Sequence, residues 1–378
     1  MKKIFLTTIA LLSMASASVF GMYGVDSDWI DFLTHGNQFR ARLEQLGFTL
    51  GNDTIKGTLG LDSPSSTLGQ IFSTGTDGTA SWYPNISAGI GYTSSAISVG
   101  VGYNATIGNK WRGVDGKNHR QAAHTPVLVL NALDNAFRMA IPIQVFSTKD
   151  ISAGNNSTNS MTAVSLDPQF RYYTGLDFLP QIRLLVYYGH QETQAKSSSS
   201  DTKTKFDSFG FQFRIYFGSM VEEVALQPIL RIQYKTALGK HGATDIKAVS
   251  FARGISYGGN VSSYNRDKAA YQVFIRPSLG LTANSDVVSI YVEPYLGYAI
   301  NEDGYNGNKV THDLNYGVYG EIYVRPLQSL EWYFEAELGN YLDGATGATT
   351  SSGESASLNK RGLGFNASTG ITWYLPAL

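Results

Sequence analysis

The sequence predicts an all-β fold, a transmembrane antiparallel β-barrel of the bacterial outer membrane. Three observations predict it: an export signal, apolar and polar residues alternating in stretches of about ten, and connections that alternate short and long.

The signal comes first. Lys2 and Lys3 precede an apolar core, Ile4 to Leu12, followed by small residues ending in Ala15-Ser16-Ala17 or Val19-Phe20-Gly21. This predicts a signal peptide over residues 1–21, cut after Ala17 or after Gly21. With no cysteine in the chain, an N-terminal lipid anchor, disulfides and thiolate metal sites are all excluded. Gly 40, Tyr 23 and Phe 19 with only 16% charged residues describe an aromatic, glycine-rich chain. Beyond the signal it lacks the run of about 20 apolar residues that a helical membrane bundle needs. A net charge of -1 provides no basic field for a nucleic-acid backbone, so no nucleic-acid partner is expected.

Residues 22–53 read as a separate N-terminal segment. Asn37 is placed to cap a short helix carrying Phe39, Leu43 and Leu46 and ended by Gly47, yet Gln38 to Glu44 also alternates as a strand. Strands from about Thr54 onward, a barrel over 54–378, number about 14. Counting Gln38 to Leu50 as a strand requires another before it and gives about 16.

Alternation is clearest in the middle and late strands. Phe137, Met139, Ile141, Ile143 and Val145 oppose Arg138, Ala140, Pro142 and Gln144; Phe209, Phe211, Phe213 and Ile215 oppose Ser208, Gly210, Gln212 and Arg214. The same two-residue period runs through 223–234, 271–282, 288–298 and 362–375. Successive strand residues point to opposite faces, and a barrel in lipid is apolar outside and free to be polar inside. Stretches this long fit a tilted membrane crossing better than the five or six residues usual in globular sheets. Short connections (Leu133-Asp134-Asn135, Gly218 to Val221, Ala283 to Asp286, Leu327-Gln328) belong on the periplasmic side. Long ones (62–82, 108–124, 148–161, 191–205, 238–267, 301–311, 343–361) belong outside, with the polar runs Ser197 to Thr204 and Ala345 to Ser357 as exposed loops.

Local motifs carry little chemistry. Gly100-Val101-Gly102-Tyr103-Asn104-Ala105 matches a dinucleotide fingerprint, but no helix follows to receive a pyrophosphate; glycines relieving crowding on an inward face explain it better. The glycosylation-like triplets at Asn52, Asn85, Asn104 and Asn366 carry no weight, several lying within strands. The six histidines show no metal-ligand spacing, so neither metal nor cofactor is expected. Glu331, Glu335 and Glu337 share one strand face without a second acid-base constellation, and no catalytic residue is expected.

The inward charges are segregated. Arg138, Arg183, Arg214, Arg231 and Arg276 fall on the polar faces of the middle strands; Glu293, Glu321, Glu331, Glu335 and Glu337, with Arg325 among them, fall on those of the later ones. These are the candidate lumen-lining residues. A cationic wall set against an anionic one would place a transverse field across a water-filled lumen; the same charges could instead form a salt-bridge ladder in a closed barrel.

The run Asp28-Trp29-Ile30-Asp31-Phe32-Leu33-Thr34-His35-Gly36-Asn37-Gln38-Phe39-Arg40-Ala41-Arg42-Leu43-Glu44-Gln45-Leu46-Gly47-Phe48, continuing Asn52-Asp53-Thr54-Ile55-Lys56-Gly57-Thr58, resembles the variable surface proteins (Vsp) of Brachyspira spirochaetes. The resemblance implies an abundant outer-membrane surface antigen, one of several related copies, exposed to the host and open to assembly into larger complexes. It brings no catalytic residues. Its expected partners are outer-membrane lipid, the barrel assembly machinery, and host factors or antibodies at the loops; a general diffusion porin or small-solute channel is the alternative reading. The chain ends Trp373-Tyr374-Leu375-Pro376-Ala377-Leu378 rather than on the terminal aromatic usual in such barrels.

Overall fold

A computed structural model describes residues 28–42, 45–62, 85–107, 118–152, 157–240, 242–252, 267–305, 310–340 and 363–376; the expected signal peptide and the 343–361 connection lie outside these. The strand segments are β1 (Gln38–Arg42), β2 (Gln45–Gly51), β3 (Ile55–Asp62), β4 (Asn85–Tyr92), β5 (Ile97–Ile107), β6 (Asn118–Ala132), β7 (Phe137–Ser152), β8 (Ser157–Leu166) and β9 (Gln169–Leu176). They continue as β10 (Leu179–Lys196), β11 (Asp201–Tyr216), β12 (Ser219–Val221), β13 (Val224–Ala237), β14 (Tyr271–Asn284), β15 (Val288–Glu302), β16 (Thr311–Leu327), β17 (Leu330–Gly339) and β18 (Gly364–Tyr374). A 3-10 helix (Asp28–Thr34) precedes β1, and a short helix, α1 (Ala248–Ala252), lies between β13 and β14.

Pairing is antiparallel throughout, and β1 pairs with both β2 and β18, so the sheet closes on itself. Two strands are interrupted. Segments β8 and β9 both lie between β7 and β10, parted at Asp167-Pro168, where proline supplies no N–H to the ladder. Segments β11 and β12 share the edge of β13. The 18 segments therefore fill 16 positions of a closed antiparallel barrel. The seam is tied at the first strand, where Asn37 Nδ2 donates to Gly51 O (2.9 Å) and Pro376 O (2.8 Å) and Leu375 N donates to Asn37 O (2.9 Å).

Sixteen rather than 14 strands result because residues 38–51 form a hairpin within the wall, and no strand precedes it among the described residues. The barrel thus begins at Gln38 rather than at Thr54, and the helix capped by Asn37 does not form. Pairing on both sides satisfies the backbone groups of every residue in so short a segment and outweighs its weak helical periodicity.

The surface is inverted relative to a soluble protein. Ile90, Val101, Leu128, Leu279, Leu296, Ile322 and Phe334 are exposed, whereas Asn104, Thr125, Gln144, Gln212 and Glu321 are buried. Aromatic residues stand near both ends of the apolar face: Trp332 and Trp373 by the short turns, Tyr103, Tyr188 and Tyr298 toward the long connections. The apolar belt with aromatic margins is the lipid-facing surface of a membrane barrel. Arginine in place of Val101 or Leu279, both mid-strand, is expected to cost about 2–4 kcal/mol, read from denaturant unfolding in lipid vesicles. Unchanged stability at both sites would place this face away from lipid.

Several expected connections are strand instead: 118–124 belongs to β6, 148–152 to β7, 157–161 to β8 and Ser219–Val221 is β12. Two more differ further. Residues 191–205 are mostly strand, because β10 runs 18 residues to Lys196 and β11 starts at Asp201, leaving Ser197 to Ser200 as the turn. A crossing uses about 9–11 residues, so this hairpin stands beyond the bilayer as regular sheet. The 238–267 connection, expected outside, folds inward over its described part: Ile246, Ala248, Val249 and Phe251 are all buried.

Candidate functional site: an arginine ladder and two inward segments

Register brings together arginines that are distant in sequence. Arg138 pairs with Arg171, Arg171 with Arg183, Arg183 with Arg214, Arg214 with Arg231 and Arg231 with Arg276. All six point inward, opposite the exposed apolar face, in one row across β7, β9, β10, β11, β13 and β14. Neighbouring strands lie about 4.8 Å apart, so the row is about 24 Å long, and the tilt of the strands makes it a ramp. The ramp starts just above the β6–β7 turn at Arg138 and reaches mid-barrel at Arg276.

Like charges directly opposite each other repel, so the row needs compensation. Aromatic rings beside it supply some: Arg138 lies over Tyr173 (4.8 Å to the ring centroid), Arg183 over Tyr216 (4.7 Å) and Arg276 over Tyr295 (4.6 Å). Amides supply more. Arg183 Nε donates to Gln181 Oε1 (2.9 Å), Arg214 Nε donates to Gln212, and Gln212 Nε2 donates to Gln233 (3.1 Å). Arg276 rests against Gly297, where an added Cβ would stand 3.1 Å from the arginine's own Cβ.

The carboxylates line β15, β16 and β17, the next positions around the wall, and each is held by hydroxyls or a cation. Glu293 accepts from Tyr291 (2.5 Å) and Ser278 (2.7 Å), and Glu337 accepts from Tyr295 (3.0 Å). Glu321 and Glu335 are cross-strand partners, with the Tyr319 hydroxyl 2.5 Å from the first and 3.1 Å from the second. Arg42 pairs with Glu335 (2.8 Å), and Arg325 with Glu331 (2.6 Å). The cationic and anionic sets therefore adjoin at the β14–β15 seam instead of facing each other across the bore throughout.

The N-terminal 3-10 helix lies inside the barrel. Asp31 sits between the first two rungs, its Oδ1 2.6 Å from Arg138 and 2.8 Å from Arg171. Its neighbours Trp29, Ile30, Phe32 and Leu33 pack against Val127, Val129 and Ala140 of the inner wall. Glycines make the seat: Gly89 pairs with Gly102 under the Trp29 ring, and Gly91 with Gly100 under Phe32 and Leu33. An added Cβ at Gly102 would lie 2.3 Å from Trp29 Cζ3, so the glycines of the fingerprint-like run serve packing.

The second inward segment follows the wall. Its Ile246 crosses Gly189 of β10, where a Cβ would stand 2.1 Å from Ile246 O, and Ile246 N donates to Ser208 of β11 (3.1 Å). Ala248 N then donates to Ser165 of β8 (3.0 Å), Val249 N to Gln144 of β7 (3.3 Å), and Gln121 Nε2 of β6 donates to Ala252 O (3.1 Å). Phe251 packs on Phe146, with Ala123, Ala163 and Phe206 around them.

Sequence reasoning missed Arg171, Arg42 and Asp31. A repeated Gln-x-Arg signal was present at Gln169-Phe170-Arg171, Gln181-Ile182-Arg183, Gln212-Phe213-Arg214 and Gln38-Phe39-Arg40.

No curated protein matches the sequence. Among solved structures, OmpT, an outer membrane protein of Vibrio cholerae folded in vitro and described in a trimer form, is similar over 90% of this chain and 98% of its own. Identity is 10% and the TM-score 0.36, a likeness too loose to support inference. The family model described as Serpulina hyodysenteriae variable surface protein matches residues 2–374, and the chain accordingly belongs to that family, as a surface-exposed outer-membrane β-barrel protein.

Proposed function

We propose that the protein is a diffusion channel of restricted bore for small solutes, displayed on the cell surface where its outer hairpins act as antigen. One observation carries the channel reading: the described part of the inward connection, residues 242–252, runs along the wall, from β11 through β10, β8 and β7 to β6. Arg138, Arg183, Arg214, Arg231, Arg276, Glu293, Glu321, Arg325, Glu331, Glu335 and Glu337 are then the polar lining of the remaining passage, and such linings set selectivity. A 16-stranded barrel is wide enough to leave an aqueous path beside the two short inward segments found among the described residues. No step of the reading requires catalysis, and the glutamates, each bonded to tyrosine or arginine, serve it as held polar groups.

The antigen role is supported by the β10–β11 hairpin. Its exposed Lys203 and Lys205 pair with Glu192 (3.5 and 3.0 Å), ordering an outer face within reach of antibodies or host factors. Purified folded protein is expected to give discrete conductance steps in planar lipid bilayers, and intact cells are expected to take up a membrane-impermeant amine label at Lys203 and Lys205. Repeated insertion without conductance would remove the channel and leave the surface antigen. Labelling only after lysis would remove the antigen.

A further inference from the structure

We infer that the arginine ladder is a binding ramp for small oxyanions carrying two or more negative charges, with Asp31 as a tethered occupant of its first two rungs. The inference deepens the channel reading and rests on it for physiological access, since a solute must enter the bore to meet the ladder.

Asp31 reveals what the rungs accept. One side-chain carboxylate, delivered by the 3-10 helix, reaches Arg138 and Arg171 together at 2.6 and 2.8 Å. That carboxylate fits because neighbouring strands, about 4.8 Å apart, bring adjacent guanidiniums within reach of one carboxylate oxygen. The same register continues without a break from Arg171 through Arg183, Arg214 and Arg231 to Arg276, so the cross-strand arginine pairing that receives Asp31 is repeated four times further along the wall. Arg214 and Arg276 are half-buried rather than buried, so the bore reaches both residues beside the protein groups that hold them.

The side chains are also preorganised. Stacking over Tyr216 and Tyr295 and bonding through Gln181 and Gln212 fix guanidinium planes that would otherwise lose rotamer freedom on binding. An anion with two charged groups can bridge two rungs and pass to the next pair without leaving the row. A monovalent ion engages one rung and gains no such bridge.

The test is titration of the folded full-length protein in detergent micelles at low ionic strength, with inorganic pyrophosphate and, separately, citrate as probes. Chloride current across planar bilayers is recorded with and without each probe. Pyrophosphate is expected to bind and reduce the current. The double variant Arg214→Gln/Arg276→Gln is expected to weaken binding at least tenfold, while Lys203→Gln/Lys205→Gln on the outer hairpin leaves it unchanged. Citrate binding in parallel assigns the site to oxyanions in general; pyrophosphate alone restricts it to phosphates. If the double variant does not fold, Arg276→Gln alone is read, with a threefold loss expected.

A conducting protein that binds neither probe, or whose binding survives the ladder substitutions or is lost with the hairpin lysines, overturns the inference and leaves the channel standing. Ladder-dependent binding in a protein that does not conduct overturns the channel and keeps the binding site.

Discussion

Asp31→Ala is expected to release the N-terminal 3-10 helix from the bore, at a cost to its docking of about 3–5 kcal/mol, as for other buried ion pairs broken at one partner. The carboxylate is 7% exposed and Arg171 5%, so neither charge is compensated by water while the helix is seated. Burial itself opposes ionisation of Asp31, but Arg171 and Arg138 together more than offset it and hold the carboxyl well below the usual carboxylate range. A depressed pKa stabilises the docked state fully above the ordinary value of 3.8, and that contribution is lost only as pH falls below it. The Asp31 contribution is therefore constant across the neutral range, whereas burial, with Arg40 beside it, lowers the His35 imidazole from its ordinary 6.5 to about 3, so docking should weaken as pH falls below 6.5. Barrel closure rests on strand pairing, so the loss should appear as faster amide exchange over residues 28–36 and a red-shifted Trp29 emission, with global unfolding little changed. Asp31→Asn keeps the shape and removes the charge. If Asn docks as tightly as Asp, the apolar seat alone holds the helix and the ion pairs contribute nothing.

What the sequence makes legible follows from the two-residue period. The face on which Arg214, Arg231, Glu293 or Glu335 stands is set by its parity against neighbours such as Phe213, Ile232, Pro294 and Phe334, and parity needs no knowledge of pairing. Register does need it. That Arg138 and Arg276 belong to one row depends on turn lengths and on the break at Asp167-Pro168, which no single strand records. Residues 37–51 stayed ambiguous because a five-residue strand and a helical turn satisfy the same few apolar positions.

The inward segments escaped for a different reason: both occur outside alternating stretches, where apolar residues have no period to be measured against. Ala248-Val249-Ser250-Phe251-Ala252 is nonetheless an apolar run in a connection assigned to water, and Trp29-Ile30 with Phe32-Leu33 is another. Each would have cost free energy if exposed.

Gly102→Val and Trp29→Ala are expected to undock the same helix from opposite sides, and their combination discriminates the seat from an ordinary strand effect. Valine favours strands, so on the wall alone Gly102→Val should be neutral or stabilising. With the helix seated, its side chain would occupy the space of the Trp29 ring, three of whose atoms lie 2.3–2.7 Å from the added Cβ position, and overpacking of this kind costs about 1–3 kcal/mol. Trp29→Ala removes a fully buried ring, for which the expected loss is about 3–5 kcal/mol. In the double variant the valine meets no ring, so its penalty should vanish or change sign, leaving a coupling of about 1–3 kcal/mol between the two sites. Amide exchange over residues 28–36 reads all four corners of the cycle. Additive losses would mean that Gly102 is required by the strand and not by Trp29, and the paired glycines of β4 and β5 would then need another explanation than the helix they underlie.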